Sequence, residues 1–222
     1  MRSKQLDRKK KETGLVALPA GGFSEWLRDT ESSLRSGKGD AEVPCGTCRG
    51  CCLSSMFIHI APEETQTLER IPRALLFPAP GLPEGHVLMG YSDQGQCPML
   101  IDNNCSIYEH RPRTCRDYDC RVFAATDIPL DERTQAEIAD RVKAWAFDYG
   151  SKGSREEHRL VKEAAAFLQK NKDLFPPGSI PGYPVPLAAL AVRIHRIFSE
   201  RRSEPPEVIA GAIMSALREP TG

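Results

Sequence analysis

All eight cysteines of this 222-residue chain fall between Cys45 and Cys120. Cys45, Cys48, Cys51 and Cys52 stand in the run CGTCRGCC, and Cys97, Cys105, Cys115 and Cys120 follow it. Cysteine used for packing behaves as a small hydrophobe and scatters through a core. Thiols confined to about a third of a chain call for a chemical reason instead.

The rest of the composition narrows that reason. A formal net charge of zero and a hydrophobic share of 40% argue against a nucleic-acid-binding field and against a disordered chain. The length suffices to bury a core, so disulfides are not forced. The N-terminal MRSKQLDRKKKETG is basic and polar, without the apolar segment of a secretory signal. Nor does any stretch reach the roughly 20 apolar residues that span a bilayer. The expectation is a cytoplasmic protein with no membrane partner. In that reducing compartment clustered cysteines are more often metal ligands than disulfides.

Cys45, Cys48 and Cys51 have the C-x2-C-x2-C spacing of the first three ligands in bacterial ferredoxin-type iron-sulfur loops. The usual fourth ligand of that pattern is absent, so a distal cysteine must close any such cluster. Neighbouring side chains diverge on an extended backbone and in a helix, so Cys51 and Cys52 are poorly placed to hold one ion. Eight thiolates then leave several partitions open: two four-thiolate zinc ions, iron-sulfur clusters, or one cluster with the remaining thiols elsewhere. Zinc normally shows two separated C-x2-C knuckles, and the gaps after Cys97 contain none. An iron-sulfur cluster, of the 4Fe-4S kind, is therefore expected ahead of zinc.

The pattern reads as an α+β chain: a small irregular cysteine-rich metal-binding module with short strands, followed by an α-helical region. Residues 1–40 form a basic tail and a short helix, 41–124 the cysteine module, and 125–222 the helical extension. In the first helix Ser24 is the expected N-cap and Gly37 the stop, with Trp26, Leu27 and Leu34 on one side. SMFIHIA, HVLMGY and PMLI read as strands, with His59 facing away from Ile58 and Ile60. DNN after Ile101 is hairpin-turn chemistry. APEETQTLERI reads as a helix and LFPAPGLPEG as a loop. Pro112 starts a short helical turn that leaves Cys115 and Cys120 near its end or beyond. DERTQAEIADRVKAWAFDYG reads as one helix with Ile138, Val142, Trp145 and Ala146 at helical spacing. SREEHRLVKEAAAFLQKN begins with a capping box from Ser154 to Glu157, and two further amphipathic helices follow. The five histidines show no metal-ligand spacing, His110 reads as a solvent-facing loop residue, and no P-loop, H-E-x-x-H or nucleophile elbow is present.

CGTCRGCC at 45–52, GQCPML at 95–100 and CSIYEHRPRTCRDYDC at 105–120 together resemble the YkgJ-type cysteine-cluster family, a mostly bacterial group described as zinc- or iron-chelating. The resemblance spans most of 41–124. It implies Cys45, Cys48, Cys51, Cys52, Cys97, Cys105, Cys115 and Cys120 as metal ligands, with Tyr108, Arg111, Pro112 and Arg116 in support. Arg111 and Arg116 would offset thiolate charge or pair with nearby acids, and Tyr108 would bond to sulfur or shield it. In many relatives the first gap is three residues, whereas Cys45 and Cys48 enclose two. The implied role is a metalloprotein whose partner is the metal ion or cluster itself, with a surface for a protein partner. The alternative, by analogy with flagellin lysine methylases, is a methyltransferase- or redox-type enzyme supported by the cluster.

Overall fold

The computed structural model describes residues 16–37, 39, 41 and 43–218. The expected basic tail over residues 1–14 lies outside the described residues. In order the elements are β1 (Leu18–Gly22), α1 (Phe23–Ser36), β2 (Ile58–Ile60), α2 (Thr65–Leu68), β3 (Leu76–Pro78), β4 (Val87–Met89), β5 (Leu100–Ile101) and β6 (Asn104–Cys105). Then come α3 (Arg113–Asp117), α4 (Arg121–Thr126), α5 (Glu132–Ala144), β7 (Trp145–Asp148), α6 (Lys152–Lys170), α7 (Pro184–Ile194), α8 (Ile197–Glu200) and α9 (Pro206–Arg218). Helices with small sheets make the chain α+β, as expected. No helix among the described residues is long and apolar enough to cross a membrane.

The chain divides into two compact units, each assembled from separate segments. The thiol unit comprises residues 40–119 and 130–141; the helical unit comprises 1–39, 120–129 and 142–222. The cysteine-free stretch after 124 thus contributes residues 130–141 to the thiol unit, and α1 groups with the late helices.

In the thiol unit β2, β4 and β3 form an antiparallel sheet in that order. Ile58 pairs with Met89 and Ile60 with Val87. The period of two turns Ile58 and Ile60 inward and leaves His59 less buried between them. They meet Ile71, Met89, Met99 and Ile107 in one apolar cluster. Strand β3 falls where a loop was expected: it is an edge strand, where Pro78 can sit without a missing N–H breaking a ladder. The β5–β6 hairpin turns through Asp102 (φ 47°) and Asn103 (φ 61°), the two left-handed residues of a type I′ turn that DNN foretells. Helix α2 is shorter than expected, because the segment from Ala61 to Glu64 is tied in a turn by the Glu64 carboxylate accepting the Ala61 N–H at 2.9 Å.

In the helical unit β1 and β7 run parallel, with a register slip between Pro19 and Gly21, where Gly21 takes φ 90°. Trp145 and Ala146 were expected on a helix and instead lie on β7. Trp145, Ala146 and Phe147 are all buried, and a continuous apolar run carries no period by which strand and helix can be told apart. In α1, Trp26 and Leu27 are buried and Gly37 ends the helix in the left-handed conformation, as expected. Leu34, however, is 41% exposed. The expected N-cap Ser24 is inside the helix; Gly22 holds the cap position and the Ser24 hydroxyl donates to Glu157. The capping box is likewise displaced: Ser151 caps α6 by accepting the Ser154 N–H at 3.1 Å. Around this start, Phe23, Trp26, Phe147, Tyr149 and His158 form one aromatic cluster. Helix α6 then packs on α7 and α4. The penultimate amphipathic segment breaks at His195 into α7 and α8.

Candidate metal centre

Four pieces of the thiol unit carry its sulfurs. Cys45, Cys48, Cys51 and Cys52 lie on the loop before β2, Cys97 ahead of β5, Cys105 at the end of β6, and Cys115 in the middle of α3 rather than near its end. Cys97, Cys105 and Cys115 are half-buried against the apolar cluster of the sheet. Cys52 joins them: the Cys97 N–H donates to the Cys52 carbonyl at 2.7 Å, and the Cys52 thiol hydrogen-bonds to the Cys97 sulfur.

That sulfur–sulfur contact organises the local charge. It keeps the proton on Cys52, whose thiol is pushed up by the bond, then by burial and by Cys97, Cys105 and Cys51. The same bond lowers Cys97 to about 7, against burial and with help from the Met99 and Leu100 N–H groups. Cys115 is pushed up to about 12, by burial first and then by Cys97 and Cys105, with Arg111 pulling down and Glu64 pushing up. Burial also raises Cys105, opposed by the Ile107 N–H and Arg111 and reinforced by Cys97. Cys97 and Cys105 therefore lie within range of each other's charge and of both Cys52 and Cys115. Backbone N–H groups already point at two of these sulfurs, which is how proteins stabilise thiolates that ligate metal.

The remaining thiols behave differently. Cys45 and Cys48 close a turn in which the Cys48 N–H donates to the Cys45 carbonyl at 3.0 Å. Gly46 supplies φ 56° there, a conformation that side chains resist. The Gly50 N–H then donates to the Cys48 sulfur at 3.4 Å. Cys51 is exposed while its neighbour Cys52 is half-buried. Cys120 belongs to the helical unit, where it is 6% exposed and its sulfur accepts the Trp145 indole N–H at 3.2 Å.

Of the supporting residues, Arg111 lies over the Tyr108 ring at 4.3 Å, donates to the Tyr108 carbonyl at 3.0 Å, and eases the charge of Cys105 and Cys115. Tyr108 is 59% exposed beneath it. Arg116 donates to the Arg111 carbonyl at 2.9 Å and so braces that backbone. Sequence reasoning missed Glu64, whose carboxylate accepts the Ala61 N–H and, at 2.6 Å, the Arg113 N–H that opens the helix of Cys115. Thr114 fixes the same helix by donating to the His59 carbonyl at 2.7 Å. Arg49 donates to the Asn103 carbonyl, tying the cysteine loop to the β5–β6 turn. His59 and His86, far apart in sequence, meet with Nε2 and Nδ1 2.9 Å apart. The one local signal among these is the A-P-E-E spacing, which lets a glutamate reach back three residues.

The donor set suits a thiophilic metal: soft sulfur ligands, amide donors directed at sulfur, and an arginine beside them. Among the described residues no group of three or more His, Cys, Asp or Glu side chains already stands in a finished metal-holding arrangement. All eight cysteines are described, and no disulfide joins them.

Neither curated proteins nor solved structures give a match to this chain. Residues 44–141 match a family model named CxxCxxCC and described as "Putative zinc- or iron-chelating domain". The C-x2-C-x2-C-C of that name is the spacing of Cys45, Cys48, Cys51 and Cys52, so the two-residue first gap is no departure from it. The matched segment ends on Arg141, where the later piece of the thiol unit also ends. The match agrees with the resemblance read from the cysteine runs: across residues 44–141 the chain is similar to the CxxCxxCC domain.

Proposed function

We propose that this is an iron-sulfur protein whose principal centre is held by Cys52, Cys97, Cys105 and Cys115. The observation that carries the reading is that Cys97, Cys105 and Cys115 pack against one apolar cluster, and that Cys97 and Cys105 lie within range of the charge of both Cys115 and Cys52, so that four segments of chain are linked. Bound there, an iron-sulfur cluster supplies a one-electron centre or a rigid structural hub. Arg111 offsets the negative charge of the ligand set, and the Met99, Leu100 and Ile107 N–H groups stabilise sulfur in its deprotonated form. Cys45, Cys48 and Cys51, on the more open loop, serve a second site or complete the first by rearrangement of that loop. The absence of a second, separate C-x2-C knuckle after Cys52 favours iron over zinc. Reduced thiols in this number suit a cytoplasmic setting.

Anaerobic purification from iron-fed cells, followed by elemental analysis and a visible spectrum, tests the reading. Expected are iron and sulfide in stoichiometric amounts and broad brown absorbance. A colourless protein with stoichiometric zinc overturns the iron assignment, and a metal-free protein overturns both. Cys52→Ser should remove most of the metal and Cys51→Ser a smaller share; equal losses would sink the division between the two neighbours.

A further inference from the structure

Helix α5 carries no cysteine, yet it runs along the cysteine loop at successive turns. The Thr134 carbonyl accepts the Ser55 N–H at 3.3 Å. One turn on, Gly50 lies so close that a Cβ built there would meet the Glu137 carbonyl carbon and oxygen and the Ile138 side chain, each at 3.3 Å. A further turn on, Arg141 Nη2 donates to the carbonyls of Pro44 at 2.8 Å and Cys45 at 3.0 Å. The Cys45 carbonyl is also the acceptor that closes the Cys45–Cys48 turn. The guanidinium thus secures the oxygen on which the shape of the C-x2-C segment depends. The helix is kinked at Gln135 (φ −135°, ψ 29°), and the turns that carry Glu137, Ile138 and Arg141 follow the kink; helical backbone behind a glycine-rich loop lowers the conformational freedom lost when the loop closes on an ion.

We propose that α5 is the backing of the metal loop and that Arg141 is a positioning residue, setting Cys45 and Cys48 for metal without touching it. This rests on the reading that the loop binds metal. Both bonds leave one nitrogen, Nη2, held at the end of a planar guanidinium; the compact ammonium of a lysine, on a more flexible stem, holds the two carbonyls less firmly.

The test compares full-length wild type, Arg141→Ala, Arg141→Lys and Gly50→Ala, with Arg133→Ala as a control. Arg133 lies on the same helix, exposed and paired with Asp131. Metal content is measured by elemental analysis, and release is timed against a colorimetric chelator. Arg141→Ala should release metal about 10-fold faster, as loss of an outer partner of a ligand commonly does. Arg141→Lys should fall between it and wild type, Gly50→Ala should behave like Arg141→Ala by pushing the loop off the helix, and Arg133→Ala should match wild type. If Arg141→Ala does not fold, the lysine and Gly50 variants carry the test. Wild type with metal and variants with unchanged release overturn this proposal alone; wild type without metal overturns the metal reading beneath it.

Discussion

In the helical unit Phe23, Trp26, Trp145 and Phe147 lie buried with Val161, Leu168, Val192 and Ile213, and α6 lies on α7 and α4. The thiol unit buries Ile58, Ile60, Ile71, Met89, Met99 and Ile107 against very short strands. A region with little apolar area to remove from water gains correspondingly little from it, and small domains of this kind commonly rely on a metal or a crosslink. With the proposed centre bound, one polypeptide draws its order from two sources: hydrocarbon packing in one unit, ligand bonds in the other. Both tryptophans, Trp26 and Trp145, belong to the helical unit, so their fluorescence reports on it alone.

The largest expected effect is from removing the metal. Ligand bonds in small thiolate domains contribute on the order of 10 kcal/mol to folding, so a strong chelator, or Cys115→Ser, should abolish amide protection over β2 to α3. Tryptophan fluorescence should stay native. Both units melting together, or neither, would break the contrast.

Truncating the other core comes next. Phe23 is fully buried and stacks on His158 with ring centroids 4.3 Å apart. Phe23→Ala should cost about 3–5 kcal/mol in denaturant unfolding followed by fluorescence, with metal content unchanged. Loss of metal in that variant would show that the two sources of order are not separable.

A third effect is set by pH. Burial lowers His158 to about 4, Lys162 adds to the fall, and Asp127 with the Ala124 and Ala125 carbonyls opposes it. The folded state then binds the proton less well than the unfolded state. Stability is fully present above the unfolded value near 6.5 and is lost as pH falls from there towards 4, by about 3 kcal/mol at most. His158→Gln should flatten that slope in the fluorescence-detected transition; an unchanged slope would assign it elsewhere. The smallest effect belongs to a cap. Ser151→Ala removes the acceptor of the Ser154 N–H and should cost about 1 kcal/mol in the helical unit, with no change in metal release.

What could be read from the sequence was what short stretches decide alone. Asp102-Asn103 dictates a turn, Gly37 ends a helix, Pro112 precedes one, and thiols at short spacing point to metal wherever the chain takes them. What could not be read depends on partners distant in sequence. Ser24 lost its capping role because Glu157 accepts its hydroxyl, and Trp145 became a strand residue because Leu18 pairs with it. The A-P-E-E spacing marks the turn that Glu64 closes at Ala61, but Glu64 and Arg141 also act on backbone atoms 49 and 97 residues away, and no local spacing betrays those bonds. The division of thiols between the apolar edge and the open loop is equally hidden, since Cys51 and Cys52 are adjacent letters with different surroundings.

The bond from Arg141 to the carbonyls of Pro44 and Cys45 also sets a timetable. A ribosome releases the cysteine loop long before it releases the residue that clasps it, so the nascent loop must wait through nearly a hundred further additions. A recombinant fragment ending at residue 124, where the letters change character, would keep every thiol and leave that wait permanent.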